Sequence, residues 1–496
     1  MIEAIFAGLL LFTWKTTAFV FLGVACGTIV GIIPGLGGMF ILALMLPFTY
    51  GMEPTAAIAM MLAALAVIGT SNTVTSVLFG VPGNVSGVAS VFDGYPLAKK
   101  GEAARALGAG FTASAVGGLI GALCLALVLP FVRPLILLFG PSEFFALVIV
   151  SLVMMSYIGS ADTLKALVSG GAGLMLSFVG MEMASGTLRY TFGQLYLWDG
   201  LPIIPAVIGL FAIAEMMLLL RQGRAIASSD MIQEGRGTLR GMLDVFRYFR
   251  TTLMSSITGV IVGLMPGLGG ETAQYLAYSQ AARMSKNRDN FGKGEIEGVI
   301  AADAATNSKD GGTLIPTLLF GIPGSAPTAL LLSAFIMFGI QPGRSMLDEH
   351  LDFTWFLILV LIFSSLCASI LCLSFSGLLA RLTLIRPNLI VAPVLVVSLF
   401  GAYATNKHVG DLLVALSFGV LGYYMDKFGY SRATLVIALV LGPLLEENFL
   451  LAMQIYGDSF VFRPIVLGLL IVSLLVVVGS GPYRKLFAGM KRRTLK

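Results

Sequence analysis

Gly27-Thr28-Ile29-Val30-Gly31-Ile32-Ile33-Pro34-Gly35-Leu36-Gly37-Gly38 is an apolar stretch that ends in the sequence Pro-Gly-Leu-Gly-Gly. A second copy, Gly259-Val260-Ile261-Val262-Gly263-Leu264-Met265-Pro266-Gly267-Leu268-Gly269-Gly270, follows 232 positions later (259 − 27). Proline removes a helical hydrogen bond, and clustered glycines allow the backbone to turn. Broken apolar helices at matching points of two halves are typical of secondary transporters, where they indicate the binding site.

The composition places the chain in a lipid bilayer. Of its 496 residues, 57% are hydrophobic and only 11% are charged, whereas a soluble domain has about 25% charged residues. Several apolar runs approach or exceed the roughly 20 residues that a helix needs to cross the hydrocarbon core. The clearest runs are residues 107–129, 144–158, 201–220, 353–373 and 464–480. We therefore predict an all-α polytopic membrane protein.

The charged and metal-binding residue types exclude several functions. The net charge is +5, but the positive residues lie in short loops beside apolar runs, so they indicate topology and no nucleic-acid binding. The four cysteines lie in apolar segments, and the two histidines are isolated in polar loops. Neither a metal-ligand cluster nor a histidine-based triad can be assembled from them. We expect no enzymatic activity and no cofactor.

Further matching motifs indicate an internal duplication. The break Phe79-Gly80-Val81-Pro82-Gly83-Asn84 corresponds to Phe320-Gly321-Ile322-Pro323-Gly324-Ser325, at an offset of 241 (320 − 79). We predict a first transmembrane repeat at residues 1–230 and a second at residues 231–496. The linker, at about residues 221–250, has six arginines and three acidic residues. Such a positive loop is expected to be cytoplasmic.

The loop charges predict that the two repeats are inverted in the membrane. The loop at residues 99–105 is basic, whereas its counterpart at residues 348–352 is acidic. Conversely, residues 48–54 contain one acid, and their counterpart at residues 283–293 is basic. Because positive loops favour the cytoplasm, equivalent loops lie on opposite sides. The basic C-terminal tail is then cytoplasmic.

The same topology predicts re-entrant helical hairpins. Arg250 and Arg283 flank the second Pro-Gly-Leu-Gly-Gly, and both are expected in the cytoplasm. Each arm has about 14 residues, or roughly 21 Å of helix, which is too short to cross about 30 Å of hydrocarbon. The glycine tip is expected near the midplane, packed in protein or lining a wet cavity. By inversion, the first copy forms a hairpin that enters from the other face.

The glycine tips are candidate substrate sites, because helix N-termini with free amides favour anionic groups. The tip residues are Pro34, Gly35, Leu36, Gly37 and Gly38 in the first half, and Pro266, Gly267, Leu268, Gly269 and Gly270 in the second. Glu271 caps the second tip in part, which favours an asymmetric site. The alternative is close helix packing, and we favour packing for the glycines that precede each proline.

Two polar runs supply hydroxyl and amide oxygens that suit a cation or a substrate carboxylate. The runs are Ser71-Asn72-Thr73 and Thr306-Asn307-Ser308, and interhelical hydrogen bonding is the alternative role. Charged residues at membrane depth are by default functional hypotheses. Accordingly, Lys309 is a candidate to bind a substrate carboxylate. The candidates to bind a coupling cation are Asn72, Asn307, Asp303 and Asp310. A mutually neutralised group of Asp303, Lys309 and Asp310 is the alternative.

The doubled tips, the Phe-Gly-Val/Ile-Pro-Gly breaks and the length resemble the large membrane subunit, TctA, of bacterial tripartite tricarboxylate transporters. The resemblance runs from about Thr16 to Tyr483. It implies a multi-pass secondary transporter of the bacterial inner membrane that imports small organic di- and tricarboxylates, energised by a gradient of Na⁺ or H⁺. It also implies two partners, a small membrane subunit and a periplasmic solute-binding protein, and an elevator-like movement.

Carried onto this sequence, the resemblance assigns the two tips and the two polar runs to the site. The tips of the two breaks are then expected to line the site less directly, at Pro82, Gly83, Asn84, Pro323, Gly324 and Ser325. The alternative function is a receptor-independent carboxylate carrier or channel with the same architecture. An intramembrane enzyme is disfavoured, because no catalytic cluster of histidine or cysteine is present.

Overall fold

The computed structural model describes residues 2–33, 35–83, 87–136, 138–158, 163–182, 186–222, 237–265, 272–382 and 387–479. Most of them are helical, and a single pair of two-residue strands occurs among them. The first ten helices are α1 (Ile2–Leu10), α2 (Trp14–Ile32), α3 (Gly38–Met45), α4 (Pro54–Phe79), α5 (Val88–Lys99), α6 (Ala103–Ile136), α7 (Pro141–Ile158), α8 (Thr163–Ser177), α9 (Ile203–Val207) and α10 (Ala214–Gln222).

The remaining helices begin at residue 238, within the predicted linker. They are α11 (Thr238–Arg247), α12 (Phe249–Leu264), α13 (Ala273–Met284), α14 (Ile296–Phe320), α15 (Ala326–Met337), α16 (Ser345–Asp348), α17 (Leu351–Leu382), α18 (Pro387–Asn406), α19 (Val409–Phe428), α20 (Arg432–Tyr456) and α21 (Pro464–Gly479). Strands β1 (Gly180–Met181) and β2 (Leu188–Arg189) pair antiparallel, and a π-helical turn, Ile208–Ile213, joins α9 to α10.

Seven described helices are long and apolar enough to cross a membrane. Their spans are Trp14–Ile32, Pro54–Phe79, Ala103–Pro134, Ile203–Arg221, Leu351–Ser376, Val409–Phe428 and Arg432–Phe462. Shorter apolar helices accompany them, including Gly38–Thr49 and Phe249–Leu264. The prediction of an all-α polytopic membrane protein is confirmed.

The order of elements repeats in the two halves of the chain. In each half a helix leads to Pro-Gly-Leu-Gly-Gly, a shorter helix follows, and a long helix then ends at a left-handed glycine. That glycine is Gly80 after α4, with φ 65°, and Gly321 after α14, with φ 66°. Because residues with a Cβ rarely adopt this conformation, glycine is favoured at both helix ends. The inverted orientation of the two halves stays a prediction.

The long helix of each half packs against the helix before its tip, and glycines allow the close approach. A Cβ on Gly27 of α2 would clash with the Ala64 carbonyl of α4, and one on Gly259 of α12 would clash with the Ala305 carbonyl of α14. Small residues let helix backbones approach in this way. The two packing arrangements share one register, since 305 − 64 equals the offset of 241 between the breaks.

The chain divides into two compact units, each drawn from both halves of the sequence. The first consists of Met1–Arg133, Ile204–Met265 and Gly269–Tyr423. Its most deeply buried candidate span is α4. The second unit consists of the described residues of Pro134–Ile203 and Tyr424–Lys496, and within it α20 packs on α7 and α8. The repeat boundary at residue 230 stays a prediction.

Candidate functional site

The first glycine tip is tied to the first break. The Gly35 amide donates to the Gly83 carbonyl at 2.7 Å, and the side-chain oxygen of Asn72 accepts from the Gly83 amide. Leu36 is buried, whereas Gly35 is exposed. Asn72 therefore holds the break against α4, which is a structural role for a residue predicted in the site. Pro82 is half-buried beside it, and Pro34 and Asn84 lie outside the described residues.

The first tip also meets the helix that follows the second break. A Cβ on Gly38 would lie 2.9 Å from Leu65 Cδ1 and 3.2 Å from Pro327 Cγ. The break residues Pro323, Gly324 and Ser325 are buried. Parts of both halves thus converge here. The second tip, at Pro266, Gly267, Leu268, Gly269 and Gly270, lies outside the described residues, so its predicted role stays untested.

The two helix N-termini at this place differ in their capping. Ser325 is the N-cap of α15 and forms a capping box with Thr328, so the Thr328 amide of that helix already donates to a side chain. Gly37 is the N-cap of α3 and, as a glycine, supplies no side-chain cap to the backbone amides. The amides at the first tip are therefore the better candidates for binding an anionic group.

The polar runs lie inside continuous helices and not at breaks. Ser71 donates to the Val67 and Ile68 carbonyls, Thr306 to Ala302, and Ser308 to Ala305. These are bonds back to the preceding turn of the same helix, a common way to satisfy buried hydroxyls. These hydrogen bonds of Ser71, Thr306 and Ser308 lie within their own helices, so they differ from the interhelical bonds that were the alternative, and the predicted role of these residues in a site stays a prediction.

The remaining members of the runs form a polar layer where α4 crosses α14. The Asn307 amide nitrogen donates to the Thr70 hydroxyl at 2.8 Å, and the Thr73 hydroxyl donates to Asp303 Oδ1 at 2.9 Å. Ser90, on α5, donates to the same Asp303 oxygen at 2.9 Å. All five side chains are buried. The packed helices therefore place polar groups from three elements in one layer.

Two oxygens of this layer have no hydrogen-bond partner among the residues that the structure describes. They are Asp303 Oδ2 and the Asn307 side-chain oxygen, and the two residues are one helical turn apart on α14. Glycines cover both, because a Cβ on Gly110 would lie 2.5 Å from Asp303 Oδ2, and one on Gly69 would lie 2.5 Å from the Asn307 oxygen. A buried carboxylate without a compensating charge is costly. The layer can therefore accept a cation or a proton.

The structure separates Asp303 from the other charges on α14. Lys309 and Asp310 form their own ion pair at 2.8 Å, with side chains that are 14% and 9% exposed. Among the described residues, no cationic group lies within ion-pair distance of Asp303. The predicted group of three is thus a neutralised pair and a lone carboxylate. Lys309 would have to leave Asp310 to bind a substrate carboxylate.

Thr70 and Ser90 contact the candidate site but were not predicted to do so. Thr70 precedes Ser71 directly, so its place in the polar run was a usable signal. Ser90 lies in no motif, and only the packing of α5 against α4 and α14 places it beside Asp303. Within the described part of the chain, no group of three or more histidines, cysteines or acids could hold a metal ion.

The second unit contains a cavity of about 290 Å³ that the sequence did not indicate. Arg189 and Glu446 lie in its wall and form a bidentate pair at 2.7 and 2.8 Å. Asp199 and Glu447 also line it. Because the terminal nitrogens of Arg189 are engaged and the other charges are acidic, this cavity is a poor site for a carboxylate.

Comparisons with known proteins place the chain in a family. The model of the tripartite tricarboxylate transporter TctA family matches residues 17–437. An uncharacterized 52.8 kDa protein of Agrobacterium vitis, in the TAR-I ttuC' 3' region, is 32% identical over 92% of this chain and 91% of its own length. A second A. vitis protein, in the TAR-II ttuC' 3' region, is 34% identical over 44% of this chain and 92% of its own length.

No solved structure matches the chain. The family match covers more than half of the sequence, and it agrees with the apolar helices of the fold. The protein is accordingly a multi-pass membrane component of a transporter that works with other tripartite components. The chain belongs to the tripartite tricarboxylate transporter TctA family.

Proposed function

We propose that the chain is the carrier subunit of a secondary active transporter that imports small organic di- or tricarboxylates with a cation gradient. It acts in the bacterial inner membrane with its C-terminus in the cytoplasm. Its partners are a small membrane subunit and a periplasmic solute-binding protein that delivers the substrate. Family membership supports the transport role. The inverted repeats, the re-entrant hairpins and the elevator-like movement are parts of the same proposal.

The observation that carries the proposal is the polar layer between α4 and α14. Asp303 is a buried carboxylate whose Oδ1 accepts two hydroxyl hydrogen bonds and whose Oδ2 has no hydrogen-bond partner in the described part of the chain. A carboxylate in apolar surroundings is expected to take up a positive charge, either a proton or a metal cation. We therefore assign the coupling cation to Asp303, with the Asn307 oxygen as its neighbour on the same helix face.

The substrate carboxylate is assigned to the first glycine tip. Gly35 is exposed, and α3 begins at Gly38 without a side-chain cap, so its first amides point out of the helix end unsatisfied by side chains. Such amides favour an anion. Anion and cation sites on one compact unit are what a symporter needs, because each ligand then alters the free energy of binding of the other.

Uptake by proteoliposomes tests this function. The chain, the small membrane subunit and the solute-binding protein would be supplied together, with a panel of labelled di- and tricarboxylates and an imposed Na⁺ or H⁺ gradient. We expect accumulation only when both the receptor and one of the gradients are present. Asp303→Asn is expected to abolish gradient-driven accumulation, because the amide carries no negative charge to balance a buried cation and takes up no proton at neutral pH. Asp289→Asn, at an exposed loop position, is the matched control.

Two results would contradict parts of the proposal. Uptake that is unchanged without the solute-binding protein would favour the receptor-independent carrier or channel. Full gradient-driven accumulation by Asp303→Asn would show that the coupling cation does not bind in the polar layer between α4 and α14. Initial rates measured against Na⁺ at fixed pH, and against pH at fixed Na⁺, would identify the ion.

A further inference from the structure

Helix α11, in the C-terminal part of the predicted linker, has one face that is fixed to the protein. Gly241 packs against the backbone of Arg105 on α6, and the Arg105 Nε donates to Asp244 at 2.6 Å. Val245 is fully buried in the same apolar cluster as residues of α6. These contacts fix the rotation of α11 about its axis, so its outer face is defined.

The outer face of α11 is apolar and exposed. Leu239 is 75% exposed, Leu243 67% and Phe246 60%. Residues four and three positions apart lie on one side of a helix, so these three form a single stripe. The stripe continues onto α12, where Phe249, Ile257, Ile261 and Leu264 are also exposed. An apolar surface of this extent requires an occupant other than water.

Arginines border the stripe on one side. At 100° per residue, Leu239, Leu243 and Phe246 lie within about 60° of one another, and Arg240 and Arg247 lie together about 40–60° beyond Leu243. Both arginines are exposed, as is Arg250 at the start of α12. The one acid of α11, Asp244, is neutralised by Arg105 on the buried face. The exposed surface of the helix therefore carries only positive charge.

We propose that α11 binds the acidic surface of the membrane, lying in its plane with Leu239, Leu243 and Phe246 inserted between the lipids. Arg240 and Arg247, at the edge of the stripe, then reach lipid phosphates. An apolar face bordered by basic residues is what an interfacial helix requires, and anionic headgroups complement the charge. Continuity with the exposed apolar face of α12 favours lipid over a protein partner. The proposal concerns membrane attachment and is independent of the transported substrate.

Spin labels on the full-length chain test the position of α11. Labels would be placed at Leu243→Cys and Arg240→Cys, with the four native cysteines replaced by alanine, in vesicles of phosphatidylcholine and phosphatidylglycerol. We expect the label at residue 243 to be accessible to oxygen and protected from a water-soluble nickel chelate. The label at residue 240 should be more accessible to the chelate than the label at residue 243. Access of the chelate to residue 243, or its protection from both reagents by a protein partner, would overturn the proposal.

A second measurement uses the full-length protein with its native cysteines in place. It tests whether the arginines of α11 bind anionic lipids. Native mass spectrometry would compare the number of phosphatidylglycerol molecules retained by the wild type and by the double variant Arg240→Gln, Arg247→Gln. We expect the variant to retain fewer, whereas the double variant Arg283→Gln, Arg288→Gln, with both changes outside α11, retains the wild-type number. Equal retention by the α11 variant and the wild type would overturn the assignment of phosphate binding to these arginines.

Discussion

Glu295, at the residue directly before α14, lies near two other buried carboxylates. Asp93 is held by the Gly294 and Glu295 amides and the Tyr278 hydroxyl, and Glu297 by the hydroxyls of Thr251 and Ser285. Burial raises the pKa of Glu295 above its ordinary value of 4.5, and the charges of Glu297 and Asp93 raise that pKa further. Its ionised form is therefore less favourable in the folded protein than in the unfolded chain.

This shift predicts a pH-dependent effect of Glu295→Gln. A raised carboxyl pKa favours the folded state below pH 4.5, and the benefit is lost as the pH rises through the folded-state pKa. Glutamine has no such dependence, so the variant should gain stability relative to the wild type as the pH rises from 4 to 8. Unfolding temperatures of the purified protein in detergent, measured across this range, check the trend. A relative stability that falls with rising pH would contradict it.

At the scale of elements, glycine packing determines how closely α12 approaches α14. A Cβ on Gly259 would lie 2.6 Å from the Ala305 carbonyl, a backbone atom that cannot move alone. We expect Gly259→Ala to lower the free energy of unfolding by about 1–3 kcal/mol, the usual effect of overpacking. Gly171→Ala, on α8 with nothing within 4 Å, is the control. It should raise that free energy by about 0.5–1 kcal/mol, because alanine favours helix.

Denaturation in increasing sodium dodecyl sulfate would measure both glycine variants. The sign of the change is the decisive result, since the two substitutions are chemically identical and differ in their surroundings. Equal effects of both would show that helix propensity, and not the α12–α14 contact, determines the stability at Gly259.

Local sequence signals predicted most of the elements. The apolar runs and the Pro-Gly breaks depend on neighbouring residues only, so α2, α6, α12 and α17 could be predicted directly, whereas the continuous helix α14 could not. Which polar residues meet depends on packing between distant segments. From the sequence, the two polar runs looked like equivalent parts of the two halves. At the packing offset of 241, however, Asn72 corresponds to residue 313, which is six positions from Asn307 (313 − 307), so the two asparagines do not occupy equivalent places. Ser90 beside Asp303 had no local signal at all.

At the scale of the whole molecule, the predicted inversion can be tested through equivalent loops. Lys99 ends α5, and Glu349 lies in the corresponding loop before α17. Because positive loops favour the cytoplasm, a cysteine at Lys99 should react with an impermeant maleimide only from inside the cell, and one at Glu349 only from the periplasm. Labelling of intact cells and of inverted vesicles measures this. Reaction of both positions from one side would refute the inversion.

The hydrogen bond from Thr73 to Asp303 joins residues that are 230 positions apart. A ribosome that adds about 5–20 residues per second needs about 10 to 45 seconds to synthesise that interval. Until α14 emerges, Thr70 and Thr73 of α4 lack their final partners. During synthesis, the polar side chains of α4 in the first half of the chain therefore lack their hydrogen-bond partners. The polar layer can form only after α14 of the second half has been synthesised.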